Sequence, residues 1–187
     1  FGEANALLAG DGLLTLAFET AADAALPSDR TVEAVKTLSQ AAGIFGMIGG
    51  QVIDLASEGK QISMETLNTL YELKTGALLR ASAKLGCIAG GADSKMLNMA
   101  DTYAKALGLA FQITDDILDV VGTAEKLGKP IGSDADSHKT TYVSLLGIDG
   151  AKKAAEEQIE RAKQSIGSIE DSGFLLWMAD MVLTRDH

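Results

Sequence analysis

The stretch DDILD, residues 115–119, places three carboxylates in a segment that is otherwise apolar. Asp115 and Asp119 are four residues apart, so on a helix their Cβ atoms lie about 5–6 Å from each other. No lysine or arginine lies within five residues of the three aspartates. Burying unpaired carboxylates is costly, and a hard divalent cation removes that cost. Three aspartates without histidine or cysteine favour Mg²⁺, which combines one or two carboxylates with water and phosphate oxygens.

Four other polar side chains lie on helix faces that are mainly apolar: Gln51, Asp54, Lys74 and Gln112. Lys74 stands in a row of leucines and alanine at three- and four-residue steps, so it points where they point. Gln51 continues a similar row, and we predict that it faces inward with Asp54 beside it. An acidic pair on one helix face is more often simply solvated. Inward polar groups on three predicted helices favour a binding site instead.

The polar segment that follows DDILD adds further charged groups. Lys129 and Asp134 lie within residues 122–138, and Lys139 directly follows this range. The two lysines are suited to contact the outer oxygens of a metal-bound diphosphate, because their ammonium groups are compact positive charges. Asp136 and His138 are interpreted as ordinary surface residues of a loop.

Helices in series are predicted to carry these residues. Apolar periodicity and terminal signals indicate helices over residues 4–26, 28–57, 64–89, 94–121, 140–146, 150–166 and 172–184. Ser63 is a predicted N-cap, as is Asp93 or Ser94. No run shows the alternation expected of a strand. The chain is therefore predicted to be one all-α domain, residues 1–187, built as a bundle of long, mostly antiparallel helices.

Composition excludes several classes of function. The net charge of -10 argues against a nucleic-acid-binding protein, which needs clustered lysine and arginine. Residues 37–53 form an uncharged run with four glycines, which we interpret as a buried helix and not as a membrane span. Cys87 is the only cysteine, so a disulfide framework and a thiolate metal site are excluded. We expect a cytoplasmic protein.

The order and spacing of several segments resemble those of the trans-prenyl diphosphate synthases, of the bacterial farnesyl and geranylgeranyl diphosphate synthase type. The segments are FGEANALLAGDGLL, GGQVIDLASEG, KTGALLRAS, LGLAFQITDDILD, GKPIGSD and HKTTY. DDILD looks like the second of the family's two aspartate-rich motifs. The resemblance implies an all-α fold around a central cavity, a homodimer, and condensation of an allylic diphosphate with isopentenyl diphosphate.

The resemblance also implies a metal site that contains magnesium, with Mn²⁺ as an alternative. Asp115 is then the main ligand of one ion. Three further aspartates support it directly or through water: Asp116, Asp119 and Asp134.

Substrate contacts follow from the same resemblance. Three lysines are expected to hold the allylic diphosphate: Lys74, Lys129 and Lys139. Thr75 and Gln112, with the carbonyl of Lys74, stabilise the developing allylic cation. Phe111 shapes the homoallylic site, and Gln51 and Asp54 line the cavity as part of the metal–water network.

The family's first aspartate-rich motif and its isopentenyl diphosphate ligands have no match in this sequence. The chain also begins without methionine, inside a predicted helix. We therefore expect an N-terminal part before Phe1 and predict that these 187 residues alone do not turn over substrate. A non-catalytic helical subunit of a heteromeric prenyl synthase is the alternative. A terpene cyclase is disfavoured, because cyclases usually carry a mixed Asn, Ser and Glu pattern in place of DDILD.

Overall fold

The computed structural model describes residues 1–121 and 139–185, and within these ranges the regular elements are all helices. In chain order they are α1 Glu3–Ala22, α2 Ser28–Ala42, α3 Met47–Ser57, α4 Met64–Tyr71, a π-helical segment Glu72–Gly76, α5 Ala77–Gly90, α6 Ser94–Val121, α7 Tyr142–Ile166 and α8 Gly173–Thr184. The predicted all-α fold is confirmed.

Helix α6 is the central element, in contact with α4, the π-helical segment, α5, α7 and α8. Two apolar clusters surround it. In one, Tyr103 and Leu107 pack with Ile159 of α7 and with α8. In the other, Ile113 and Ile117 pack with α4 and the first half of α7. Because both clusters share α6, residues 111–116 are held rigidly between its two packed ends.

The helix predicted over residues 28–57 is interrupted at residues 43–46, giving α2 and α3. At Gly46 a Cβ atom would lie 2.1 Å from the carbonyl oxygen of Ala41, so only glycine fits this break. The break lets α3 pack closely on the π-helical segment. A Cβ at Gly50 would lie 2.2 Å from the amide nitrogen of Lys74, which means that the two backbones touch.

The inward row predicted on α3 is wrong. Gln51 is exposed, as are Ile48 at 43% and Leu55 at 68%. Gly50 faces the π-helical segment in their place, and Asp54, four residues further on, shares its face.

The helix predicted over residues 64–89 is present, but its middle turn is π-helical. Ser63 caps its start, since the Ser63 hydroxyl accepts a hydrogen bond from the amide of Thr66 at 3.2 Å. The predicted cap of α6 is also confirmed, because Asp93 accepts from the amide of Met96 at 2.8 Å. A π-helical turn inserts one residue and changes the facing of neighbouring side chains, and such turns are frequent at functional sites.

The two short helices predicted over residues 140–166 are joined in α7, which is kinked at Gly147, where φ is 71°. Helix α1 ends four residues earlier than predicted, and none of its residues is buried. No helix within the described ranges has the length and apolar character needed to cross a membrane.

Candidate active site

A cavity of about 110 Å³ lies between α3, the π-helical segment, α6 and the residues that precede α7. Six of the predicted site residues line it: Asp54, Lys74, Gln112, Asp115, Asp116 and Lys139. These residues are separated by up to 85 positions in the sequence, so the fold brings them together. The remaining lining includes leucines of α4 and the hydroxyl side chains of residues 140 and 141.

Asp54 holds two lysines at this cavity. Its Oδ2 atom lies 2.5 Å from the Nζ atom of Lys74 and 3.4 Å from that of Lys139. Burial raises the pKa of the Asp54 carboxyl, but the hydrogen bond and charge of Lys74, followed by Lys139, outweigh burial and leave that pKa below its ordinary value. One carboxylate therefore faces two ammonium groups, and this cluster has a net positive charge.

Thr75 and Gln112 form a second contact across the site. The hydroxyl of Thr75 donates to Oε1 of Gln112 at 2.6 Å. Lys74 and Thr75 are consecutive, yet one contacts α3 and the other contacts α6. The π-helical turn thus directs the ammonium group of Lys74 towards α3 and the hydroxyl of Thr75 towards α6.

The aspartates of DDILD have three different environments. Asp115 lines the cavity with its side chain 35% exposed, and an Nη atom of Arg185 lies 3.8 Å from its Oδ1. Asp116 is 5% exposed, and its carboxylate accepts hydrogen bonds from the hydroxyl of Tyr71 at 2.7 and 2.8 Å and from the amide of Tyr142 at 2.7 Å. Asp119 is 1% exposed and lies outside the cavity lining.

The described residues contain no group of three or more carboxylate, histidine or cysteine side chains placed to hold a metal ion. The predicted role of Asp115, Asp116 and Asp119 in metal binding stays a prediction. Asp115 alone combines exposure with a place on the cavity wall. Mg²⁺ is commonly held by one or two carboxylates together with substrate phosphates, so Asp115 suits a cation that binds with a diphosphate. Lys129 and Asp134 lie outside the described residues.

Arg185, which follows α8, is a site residue that the sequence did not reveal. Its guanidinium lies 3.8 Å from the centre of the Phe111 ring and donates to the Phe111 carbonyl at 2.9 Å. Burial lowers the pKa of Arg185, and the charge of Asp115 opposes that shift. Phe111 therefore lies under Arg185, outside the cavity lining. Since 74 residues separate the two, no local pattern signals the contact.

Tyr71 and Tyr142 were also missed. Their rings stack with centroids 6.1 Å apart, and the hydroxyl of Tyr142 donates to the side chain of Asn68. Tyr71 follows Leu67 by four residues and shares its buried face. A tyrosine on a buried row needs a partner for its hydroxyl, and that signal was available from the sequence.

Comparison with known proteins adds independent information. A family model described as polyprenyl synthetase matches residues 1–172. The farnesyl diphosphate synthase of Escherichia coli (strain K12) is 45% identical over 194 residues; the match covers all of this chain and 65% of that protein.

Two solved structures are similar over nearly the whole chain. A geranylgeranyl pyrophosphate synthetase from Pyrococcus horikoshii Ot3 is 28% identical with a TM-score of 0.88, and the match covers 98% of this chain and 68% of that one. A geranyltransferase from Helicobacter pylori, complexed with magnesium and isoprenyl diphosphate, is 34% identical with a TM-score of 0.82, covering 98% and 60%.

Proposed function

The chain belongs to the polyprenyl synthetase family, and on that premise we propose that it carries the allylic-diphosphate site of a short-chain trans-prenyltransferase. The proposed reaction joins an allylic diphosphate to isopentenyl diphosphate, as in farnesyl or geranylgeranyl diphosphate synthesis. One observation carries the proposal: Lys74 and Lys139, both held by Asp54, share a cavity with Asp115. Three aspartates line the cavity; Asp54 faces the two ammonium groups, and the lysines together with Asp115 suit a diphosphate that binds with a metal ion.

The first step is ionisation of the allylic substrate. The bond between the allylic carbon and the diphosphate oxygen breaks, and its electron pair stays on the oxygen. Lys74 and Lys139 stabilise the negative charge that grows there, which is an electrostatic role for groups already in position. Magnesium held at Asp115 supplies Lewis-acid neutralisation of the same leaving group when it is bound.

The second step requires that the allylic cation survive long enough to react. Thr75 and Gln112 offer oxygen dipoles beside the cavity, and the leucines at positions 67 and 70 form an apolar part of its lining that excludes water. The isopentenyl double bond forms the new carbon–carbon bond. A proton then leaves the resulting cation, and the released diphosphate accepts it.

Magnesium and the homodimer are parts of this proposal. The Helicobacter pylori relative was crystallised with magnesium, and the exposed Asp115 carboxylate suits the same ion, with Mn²⁺ as the alternative. Lys129 and Asp134 are proposed to complete the diphosphate and metal contacts. Helix α1 exposes several leucines, among them Leu7 at 69% and Leu13 at 68%, and a homodimer is one arrangement that buries such surface.

A non-catalytic subunit of a heteromeric synthase is the competing function. A scaffold of that kind needs the helices but has no need of a charged cavity. The intact contact between Asp54 and Lys74, together with Lys139, therefore favours the transferase.

The test is steady-state kinetics on the full-length gene product, comparing Lys74→Met with Lys152→Met. Lys74→Met keeps the apolar stem and removes the charge from the cavity, so we expect kcat/KM for the allylic diphosphate to fall by roughly 100-fold. Lys152 lies exposed on α7 and serves as the control. Equal kcat/KM of the two variants would contradict the proposed role of Lys74 in diphosphate binding.

A further inference from the structure

Three of the segments that carry charged groups of the site meet at one buried carboxylate. Asp116 of α6 contacts Tyr71, the last residue of α4, and Tyr142, the first residue of α7. Lys74 comes three residues after Tyr71, and Lys139 comes three residues before Tyr142. Asp115, adjacent to Asp116, lies on the third element.

The contacts at Asp116 are short and come from two directions. The hydroxyl of Tyr71 lies 2.7 Å from Oδ1 and 2.8 Å from Oδ2, so it bridges the carboxylate. The amide nitrogen of Tyr142 lies 2.7 Å from Oδ2. Asp116 is 5% exposed, and hydrogen bonds are stronger in a buried site than in water. Asp116 thus joins the start of the π-helical segment to the start of α7.

The segment from Lys139 to Tyr142 depends on such contacts for its position. The hydroxyl of Thr140 accepts a hydrogen bond from the amide of Ile62 at 3.1 Å and donates to the carbonyl of Lys60 at 3.2 Å. Thr141 caps α7 in a reciprocal pair with Ser144. Asp116 accepts the hydrogen bond that this segment makes to α6, the helix that carries Asp115, and Tyr142 also packs against Ile113 and Ile117 of α6.

The stacked rings of Tyr71 and Tyr142 help to orient the hydroxyl of Tyr71 towards Asp116. The Tyr71 ring lies against the Tyr142 ring at an interplanar angle of 21°, so the hydroxyl of Tyr71 has little freedom to turn away from Asp116. Removing that hydroxyl leaves the carboxylate buried with one fewer donor, which shifts the parts that it connects.

We propose that Tyr71 is a positioning residue for the diphosphate site: through Asp116 its hydroxyl fixes Lys74, Asp115 and Lys139 relative to one another. This inference rests on the proposed function and adds a residue that lines the same cavity and acts through its contact with Asp116. It also gives Asp116 a role distinct from that of Asp115, because its carboxylate oxygens bind a hydroxyl and a backbone amide.

The test compares Tyr71→Phe with Tyr103→Phe in the full-length gene product. Both tyrosines are buried, and the hydroxyl of Tyr103 donates to the carbonyl of Leu175 at 2.7 Å in the cluster far from the cavity. Each substitution deletes one buried hydroxyl, so both variants are expected to lose similar thermal stability. The affinity for inorganic diphosphate with Mg²⁺, measured by calorimetry, is expected to fall about tenfold only in Tyr71→Phe, with a matching rise in KM for the allylic diphosphate.

A double-mutant comparison sharpens the result. In an Asp116→Asn background, Tyr71→Phe is expected to cause little further loss of diphosphate affinity, because the two residues act through one contact. Additive losses of diphosphate affinity in the double mutant would overturn the inference, as would equal affinity of Tyr71→Phe and Tyr103→Phe. In either case, turnover by the wild type would leave the proposed function standing. A wild-type protein that binds no diphosphate would overturn both.

Discussion

Asp54 shows how a single carboxylate organises the cavity. Two ammonium groups would repel each other at the distances seen here, and the carboxylate between them makes their approach favourable. The lysine side chains are only about one-third exposed, at 31% and 30%, so solvent screens this cluster less than a surface pair. The proposed diphosphate substrate would then meet two cations that are already oriented.

The pH dependence of stability tests this role. The folded-state pKa of Asp54 lies below its ordinary value of 3.8, so its stabilising effect is present above that value and is lost as pH falls through the folded-state pKa. At neutral pH we expect Asp54→Asn to lower the free energy of unfolding by about 1–2 kcal/mol. Urea unfolding at neutral and acid pH measures the difference, which should shrink towards zero in acid.

Asp149→Asn is the control for this measurement, because Asp149 is exposed on α7. It should track the wild type at every pH. A difference between wild type and Asp54→Asn that stays constant through the acid range would show that the Asp54 charge does not stabilise the fold.

At the scale of elements, packing between glycine-bearing backbones sets the geometry of the site. Gly50 brings α3 against the π-helical segment. Gly108 brings α6 against Gly76, since a Cβ at Gly108 would lie 3.4 Å from the Gly76 Cα. Side chains as short as those of Asp54 and Thr75 reach their partners only because these backbones approach closely.

Gly50→Ala tests the first of these contacts. The new Cβ would lie 2.2 Å from the amide nitrogen and 2.5 Å from the Cα of Lys74, both backbone atoms, so α3 must move. We expect the free energy of unfolding to fall by about 1–3 kcal/mol, with weaker diphosphate binding. Gly86→Ala on α5 is the matched control, because its Cβ meets nothing within 4 Å and alanine favours a helix by about 0.5–1 kcal/mol. Equal stability of the two variants would contradict the close-packing account.

Helices with strong periodicity could be predicted from the sequence, whereas breaks within them could not. The bounds of helix α6, Ser94–Val121, match the predicted residues 94–121. The break at residues 43–46 and the π-helical turn have no signal in the apolar periodicity, and the apolar row through Gln51 is exposed. Lys74, Asp115 and Lys139 could be predicted from their types and positions, but the contacts of Arg185 and Tyr142 connect distant segments. Such contacts leave no local trace.

At the scale of the whole molecule, two observations are relevant: the share of a relative that the chain spans, and the apolar faces that the chain exposes. The chain spans 65% of the Escherichia coli relative, while α1 and the outer face of α3 expose leucine, isoleucine and valine side chains. Surfaces of this kind usually contact other protein. The prediction that residues 1–187 alone do not turn over substrate belongs to this scale and stays a prediction.

The most direct test of the central claim is product formation by the full-length gene product with an allylic diphosphate, labelled isopentenyl diphosphate and Mg²⁺, followed by mass spectrometry. The wild type is predicted to form a longer prenyl diphosphate, with activity lost when Mg²⁺ is removed and reduced roughly 100-fold in Asp115→Ala. Asp149→Ala should retain full activity. Absence of any prenyl product from the wild type, or undiminished Mg²⁺-dependent condensation in Asp115→Ala, would contradict the account.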